Sequence, residues 1–261
     1  MEKGLSNPTK MNKDEEFGKW MRKFYNYKAG RLFKKDYEYH RWFESPRKRR
    51  QHKFSTISLL YHLRDIKFSN CLEVGCGPGT WTKLLLKKYP KAKFTCLDIS
   101  KEMIAQFKGK IEEKRVKTIV NNFLNEDFKD KKFDFIFCSR AIEYIPTKPN
   151  VIEKFYSLME KGGKGVIITS HPHPKTVMIK RMLGGKINLE HTQRISVKNM
   201  VRLLSKKGFR KIRVYPILFS DFALVPTSTL FWNLHRKRWG LLSKMFATGY
   251  VVKFEKPENG K

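Results

Sequence analysis

Asn70-Cys71-Leu72-Glu73-Val74-Gly75-Cys76-Gly77-Pro78-Gly79-Thr80-Trp81 decides the fold. A short apolar run, Cys71–Val74, reads as a buried strand, and Thr80–Lys88 reads as a helix. Between them lie three glycines at alternate positions. A glycine-rich turn that leaves a strand and opens a helix provides tight backbone, close approach to a ligand and a helix N-terminus aimed at it. Asp98 closes the next apolar run, Phe94–Leu97, nineteen residues after Gly79. A carboxylate at that place can accept both hydrogen bonds of a ribose diol.

Outward from this stretch, strand and helix patterns alternate. Ser100 caps a helix expected to run to about Glu113. Val116–Val120 and Phe133–Cys138 follow as strands. Asn150–Glu160 reads as a helix ending at Gly162-Gly163. Gly165–Ser170 is a strand, Ser196–Lys207 a helix stopped by Gly208, and Lys211–Val214 and Tyr250–Phe254 are the last strands. Such alternation predicts an α/β fold, a doubly wound, mostly parallel seven-stranded sheet. Before it, residues 21–53 interleave aromatics with bases and read as one or two helices packed on the domain, followed by an apolar-periodic helix over 54–65. The expected division is an N-terminal aromatic and basic helical extension at 1–53 and one domain at 54–261. That domain carries an apolar and basic insertion at 216–249, before the last strand.

The chain has 261 residues and a formal net charge of +32, with 56 Lys+Arg against 24 Asp+Glu. This imbalance makes an anionic partner worth testing, whether nucleic acid, an acidic lipid surface or a phosphorylated small molecule. A Lys-rich genome composition gives the same charge with no partner at all. The four cysteines form no C-x-x-C pair and share no His cluster, so they read as reduced, buried thiols and no metal is expected. There is no apolar leader at the N-terminus. The nearest approach to a spanning helix, Val214–His235, contains Asp221, Pro216 and Pro226. A cytoplasmic protein is expected, with peripheral attachment to the inner face of a membrane as an option carried by the insertion.

NAD uses a similar loop, but with the spacing G-x-G-x-x-G. Here the order is E-x-G-x-G-x-G, which resembles motif I of the class I S-adenosylmethionine (SAM)-dependent methyltransferases. Further segments over roughly residues 40–214 extend the resemblance. Phe133-Asp134-Phe135-Ile136 is similar to the family's F-D-x-V. Ser139-Arg140-Ala141-Ile142-Glu143-Tyr144-Ile145 is similar to S-x-x-x-L-E-H-V, Gly162–Ser170 to the L-K-P-G-G turn and fifth strand, and His191–Phe209 to H-x-R-x-F-S…G-F. Trp42-Phe43-Glu44-Ser45-Pro46 is similar to a segment that often precedes motif I. Together they resemble the small-molecule and lipid branch that contains quinone-biosynthesis enzymes.

The resemblance implies a Rossmann-like methyltransferase fold and SAM as cofactor. Carried over, Glu73 and the loop Gly75, Cys76, Gly77 and Gly79 would surround the methionine part. Asp98 would hold the ribose, Ile99, Asn122 and Phe123 would flank the adenine, and Ser139 would lie near the sulfonium. Asn122 stands where the family usually has Asp, and Tyr144 where it has His. If the acceptor needs a base, the candidates are His171, His173, His191, Glu143 and Tyr144. The expected acceptor is a small or lipid-like molecule such as a quinone precursor, an isoprenoid or a lipid-linked sugar. RNA is the alternative, favoured by charge. Against RNA, Ser139-Arg140-Ala141-Ile142 lacks the Asp/Asn-Pro-Pro-aromatic motif of base-amino methylation, and no Pro-Cys pair supplies a carbon-5 nucleophile. A SAM-binding regulator is a third reading, without specific support.

Overall fold

The computed structural model describes residues 14–33, 36–170, 193–217 and 249–258. The strands are β1 (Asn70–Val74), β2 (Lys93–Asp98), β3 (Val116–Val120), β4 (Phe133–Ser139), β5 (Met159–Ser170), β6 (Arg210–Ile217) and β7 (Gly249–Glu255). They form one seven-stranded sheet in the order β3-β2-β1-β4-β5-β7-β6. Pairing is parallel from β3 to β5, and β7 runs antiparallel to both β5 and β6. The strand order reverses between β1 and β4, which leaves a crevice at their carboxyl ends where ligands bind in such sheets.

Period-2 alternation builds a core on each face. On one, Leu72, Val74, Ile136 and Cys138 meet Val151, Ile152, Phe155, Met200 and Leu204. These last five belong to α6 (Lys148–Leu158) and α7 (Val197–Lys207). On the other, Cys71, Phe94, Cys96, Phe135 and Phe137 meet Leu59, Leu85, Ile104 and Phe107. These lie on α3 (Pro46–His62), α4 (Thr80–Lys88) and α5 (Lys101–Lys108). At the N-terminus come α1 (Asp14–Tyr27), a π-helical turn at Lys28–Leu32, and α2 (Tyr37–Trp42). Among the described residues no helix is long and apolar enough to cross a membrane.

Three helices differ in their bounds from the sequence reading. α5 ends at Lys108, because Gly109 caps it with its N–H to Ala105 O at 3.1 Å. α6 begins at Lys148, with Pro149 in its first turn, and stops at Leu158. Gly162-Gly163 therefore lies within β5, in the irregular stretch where pairing with β4 shifts register. α3 begins at Pro46, capped by the Ser45 hydroxyl accepting from Lys48 N, and continues unbroken through residues 53 and 54 to His62. Residues 218–248 of the expected insertion lie outside the described residues, as do His171, His173 and His191.

Candidate active site

Strand register brings the loop and the acid together. Val74 pairs with Leu97 on one side and with Cys138 on the other, so Gly75 emerges between Asp98 and Ser139. The N–H groups of Gly75 and Cys76 both donate to Leu97 O, at 2.7 and 3.1 Å. Gly75 adopts φ +75°, and a Cβ there would sit 2.1 Å from the Ala141 Cβ. Only glycine allows β1 and β4 to release their chains this close together.

Gly77 also adopts a left-handed φ, +54°, but a Cβ there would meet nothing within 4 Å. Its N–H donates to Asp98 Oδ2 at 2.9 Å, and Ser100 N–H donates to Oδ1 at 2.9 Å. A carboxylate has about four acceptor positions, so capacity remains for a hydroxyl. Burial pushes the Asp98 carboxyl up, and the N–H groups of Ser100, Gly77 and Ile99 oppose that. The bare loop at Gly77 and a carboxylate with spare acceptor capacity are the features a ribose-bearing cofactor requires.

These residues line an open cleft of about 1140 Å³, mouth included. Gly75, Cys76, Gly77, Asp98, Ile99, Asn122, Phe123 and Ser139 all contribute to its wall. Glu73 and Gly79 do not. Gly79 lies beneath the loop against Phe107 and Ile111, at the N-cap of α4. Glu73 is 1% exposed behind the loop, where its Oε2 accepts from the Thr82 hydroxyl at 2.7 Å. Burial raises its carboxyl to about 7. Its place is a strut between β1 and α4, because the strand alternation turns it away from the crevice. The buried thiols of Cys71, Cys76, Cys96 and Cys138 are all pushed up by burial, which keeps them protonated and unreactive.

The N-terminal helices roof the cleft. Gly18 of α1 abuts Asn122, where a Cβ would lie 2.8 Å from Nδ2. The Ser100 hydroxyl donates to Asn26 Oδ1 at 2.7 Å. Gln106 of α5 clamps the segment twice: its Nε2 donates to Ala29 O at 2.9 Å, and its Oε1 accepts from Tyr37 N at 3.0 Å. Phe17, Trp20 and Met21 are buried with Phe24, Tyr25 and Tyr144 packed against them. Asn122 Oδ1 already accepts from Leu124 N at 3.1 Å and has one further acceptor position.

Beyond β4, Ser139, Arg140, Tyr144 and Ile145 face the cleft, opposite Tyr25, Tyr37, Arg41 and Trp42 from the roof. Glu143 does not line it. Its carboxylate, 0% exposed, pairs with Arg140 Nε at 2.8 Å and lies 3.8 Å from Arg194 Nε, while Ser170 N–H donates to it at 3.1 Å. That is the position of a scaffold ion pair. Burial, then the Glu143 charge, push the Tyr144 phenol far above its ordinary value, so it is protonated at neutral pH. Among the described residues no group of His, Cys, Asp and Glu could hold a metal ion.

Residues 71–163 match the family described as "Methyltransferase domain". Malonyl-[acyl-carrier protein] O-methyltransferase 1 of Ilyobacter polytropus is 35% identical over 99 residues, covering 36% of this chain and 35% of that protein. The demethylmenaquinone methyltransferase of Geobacillus sp. is 32% identical over 111 residues, covering 41% and 47%. The chain thus spans about a third to a half of the length of the curated relatives it matches. In fold, it is similar to magnesium protoporphyrin IX methyltransferase from Synechocystis PCC 6803, solved with bound SAH, with TM-score 0.64 and 14% identity over 92% of this chain and 99% of that one.

Residues 71–163 carry a methyltransferase domain, on a fold shared with SAM-dependent methyltransferases.

In this methyltransferase domain the structure brings the glycine loop, Asp98, Ile99, Asn122 and Phe123, all expected from the sequence, to one cleft. The wall opposite them is not legible in the sequence. Tyr25, Tyr37 and Arg41 sit in an aromatic and basic run that reads as packing. The one available signal was Arg140, a cation directly after the strand whose end forms the crevice. Its φ of +59° is rare for a residue with a side chain and marks a constrained position.

Proposed function

We propose that the protein transfers a methyl group from SAM to a small-molecule or lipid-like acceptor, in the class of quinone precursors, isoprenoids or lipid-linked sugars. One observation carries this reading: the glycine loop, Asp98 and Ser139 share a single cleft with a roof of N-terminal helices. A covered cleft suits a small acceptor better than an RNA duplex. The names of the relatives, an O-methyltransferase of malonyl-[acyl-carrier protein] and a demethylmenaquinone methyltransferase, support it.

In this reading the backbone of Gly75, Cys76 and Gly77 holds the methionine part, and Glu73 and Gly79 support the loop from behind. Asp98 accepts from the ribose. Ile99, Asn122 and Phe123 hold the adenine, and Ser139 lies near the sulfonium. When bound, SAM supplies a methyl already activated by that sulfonium. The remaining task of the protein is alignment of the acceptor atom with it, which is where proximity contributes most. His171, His173 and His191 remain the proposed bases for an acceptor that must lose a proton. Glu143 is assigned to positioning Arg140.

The charge of +32 favours RNA as a second reading, and the insertion at 216–249 favours a peripheral membrane location. The test is transfer of labelled methyl from SAM in a lysate of the source cells, followed by separation of RNA, protein and lipid or small-molecule fractions. Label is expected in the last. Label in RNA reverses the order. Membrane attachment predicts that the full chain pellets with anionic vesicles and stays in solution with neutral ones.

A further inference from the structure

We propose that the cleft recognises its acceptor by an anionic group, a carboxylate or a phosphate, held between Arg41 of the roof and Arg140 at the end of β4. This rests on the methyltransferase reading and specifies its substrate class.

Two guanidiniums, Arg41 and Arg140, stand in the cleft wall with one carboxylate, Asp98, while Glu143 behind the wall already pairs with Arg140 at 2.8 Å, so the charge left over is that of Arg41. Asp98 is bonded to Gly77 N and Ser100 N on the ribose side. Among the described residues no acid lies within ion-pair distance of Arg41, whose guanidinium instead stacks 3.9 Å from the centroid of the Trp42 ring. Burial, then repulsion from Arg140, lower the Arg41 guanidinium below its ordinary value. Glu143 already offsets the charge of Arg140, and an anion placed between the two guanidiniums offsets that of Arg41.

SAM does not remove the imbalance. It brings one carboxylate but also an ammonium and a sulfonium, so the loaded cleft is more positive than the empty one. A second ligand with a negative group offsets this, and a neutral one does not. Tyr25, Tyr37 and Tyr144 lie close enough to act electrostatically on Arg41, and Tyr25 and Tyr144 are hydrogen-bonded to each other. Guanidinium forks match the geometry of carboxylate and phosphate. The backbone of Arg140 is held in place by its own N–H to Ile168 O at 2.7 Å and its side chain by Glu143. The anion site is therefore largely formed before the ligand arrives.

The test uses the full chain saturated with S-adenosylhomocysteine (SAH), so that the carboxylate of the cofactor already occupies its place. Octanoate, octyl phosphate, octanol and octylamine are titrated in by calorimetry. One or both anions should bind at least tenfold more tightly than the alcohol and the amine, and the tighter anion identifies the head group as carboxylate or phosphate. Arg41→Gln should weaken that anion at least tenfold while SAH affinity stays within threefold, and Arg41→Lys should recover part of the loss. Equal binding of anion and alcohol overturns the proposal, as does absence of anion binding. Loss of SAH affinity in Arg41→Gln with anion binding unchanged also overturns it, since Arg41 would then serve the cofactor carboxylate. If Arg41→Gln does not fold, anion against alcohol on the wild-type chain still decides. Failure of the wild-type chain to bind SAH refutes the cofactor reading separately, and the anion comparison is then made on the chain alone.

Discussion

Gly75 and Gly77 differ in a way that separates folding from binding. Both have positive φ, so alanine at either costs about 1–2 kcal/mol of backbone strain. At Gly77 that is the whole folding cost, because a methyl group there meets nothing within 4 Å. At Gly75 the methyl would sit 2.1 Å from the Ala141 Cβ. Overpacking of that kind adds roughly 1–3 kcal/mol, for a total of about 2–5 kcal/mol. With about 2–4 °C per kcal/mol for a chain of this size, Gly77→Ala should lower Tm by on the order of 2–8 °C and Gly75→Ala by on the order of 4–20 °C. Binding should run the other way. The Gly77 methyl projects into the cleft where the loop backbone meets the cofactor, so Gly77→Ala should lose at least tenfold in SAM affinity, about 1.4 kcal/mol, while still folding. Thermal unfolding and calorimetry with SAM on both variants measure the two quantities. A Gly77→Ala protein that binds SAM within twofold of wild type refutes the assignment of the open loop to the cofactor. A Gly75→Ala protein no less stable than Gly77→Ala refutes the close approach of β1 and β4.

Asp98→Ala should weaken SAM at least tenfold and also cost about 1–3 kcal/mol of stability, since the N–H groups of Gly77 and Ser100 lose their acceptor; unchanged affinity by calorimetry would remove Asp98 from the ribose. Glu73, raised from 4.5 to about 7 by burial, binds more protons folded than unfolded. Its contribution to stability is complete below about pH 4.5 and is lost as pH rises to about 7, up to about 3 kcal/mol from a shift near 2.5 pH units. Glu73→Gln should therefore gain stability relative to wild type at pH 8 and not at pH 4.5, as read by denaturant midpoints at the two pH values. Glu143→Ala should cost about 3 kcal/mol, the low end for a broken buried pair because its two arginines are 24% and 20% exposed. A Glu143→Ala chain with wild-type Tm would refute its structural role.

How far the sequence revealed the site follows from which interactions are local. The loop was legible because glycine spacing, strand and helix pattern, and Asp98 all lie within one βαβ unit and answer to one local geometry. Its three glycines do adopt positive φ. The parallel sheet was legible for the same reason, since buried strands announce themselves by apolar runs. Helix ends were less so: the apolar periodicity ran past Gly109 at the end of α5, and it began two residues late at α6, where Pro149 lies in the first turn. The roles of Glu73 and Glu143 were not legible at all. Both lie next to the crevice in sequence, yet pleat and turn geometry send Glu73 to Thr82 and Glu143 to Arg140 and Arg194, away from the cleft. Arg41 and Arg140 are 99 residues apart and meet only because α2 folds back over the β1–β4 crevice. No periodicity encodes that encounter, and the aromatic run around Arg41 has the pattern of packing because most of it does pack. The contacts between roof and sheet thus join residues far apart in the chain, whereas the loop and Asp98 answer to one local βαβ geometry.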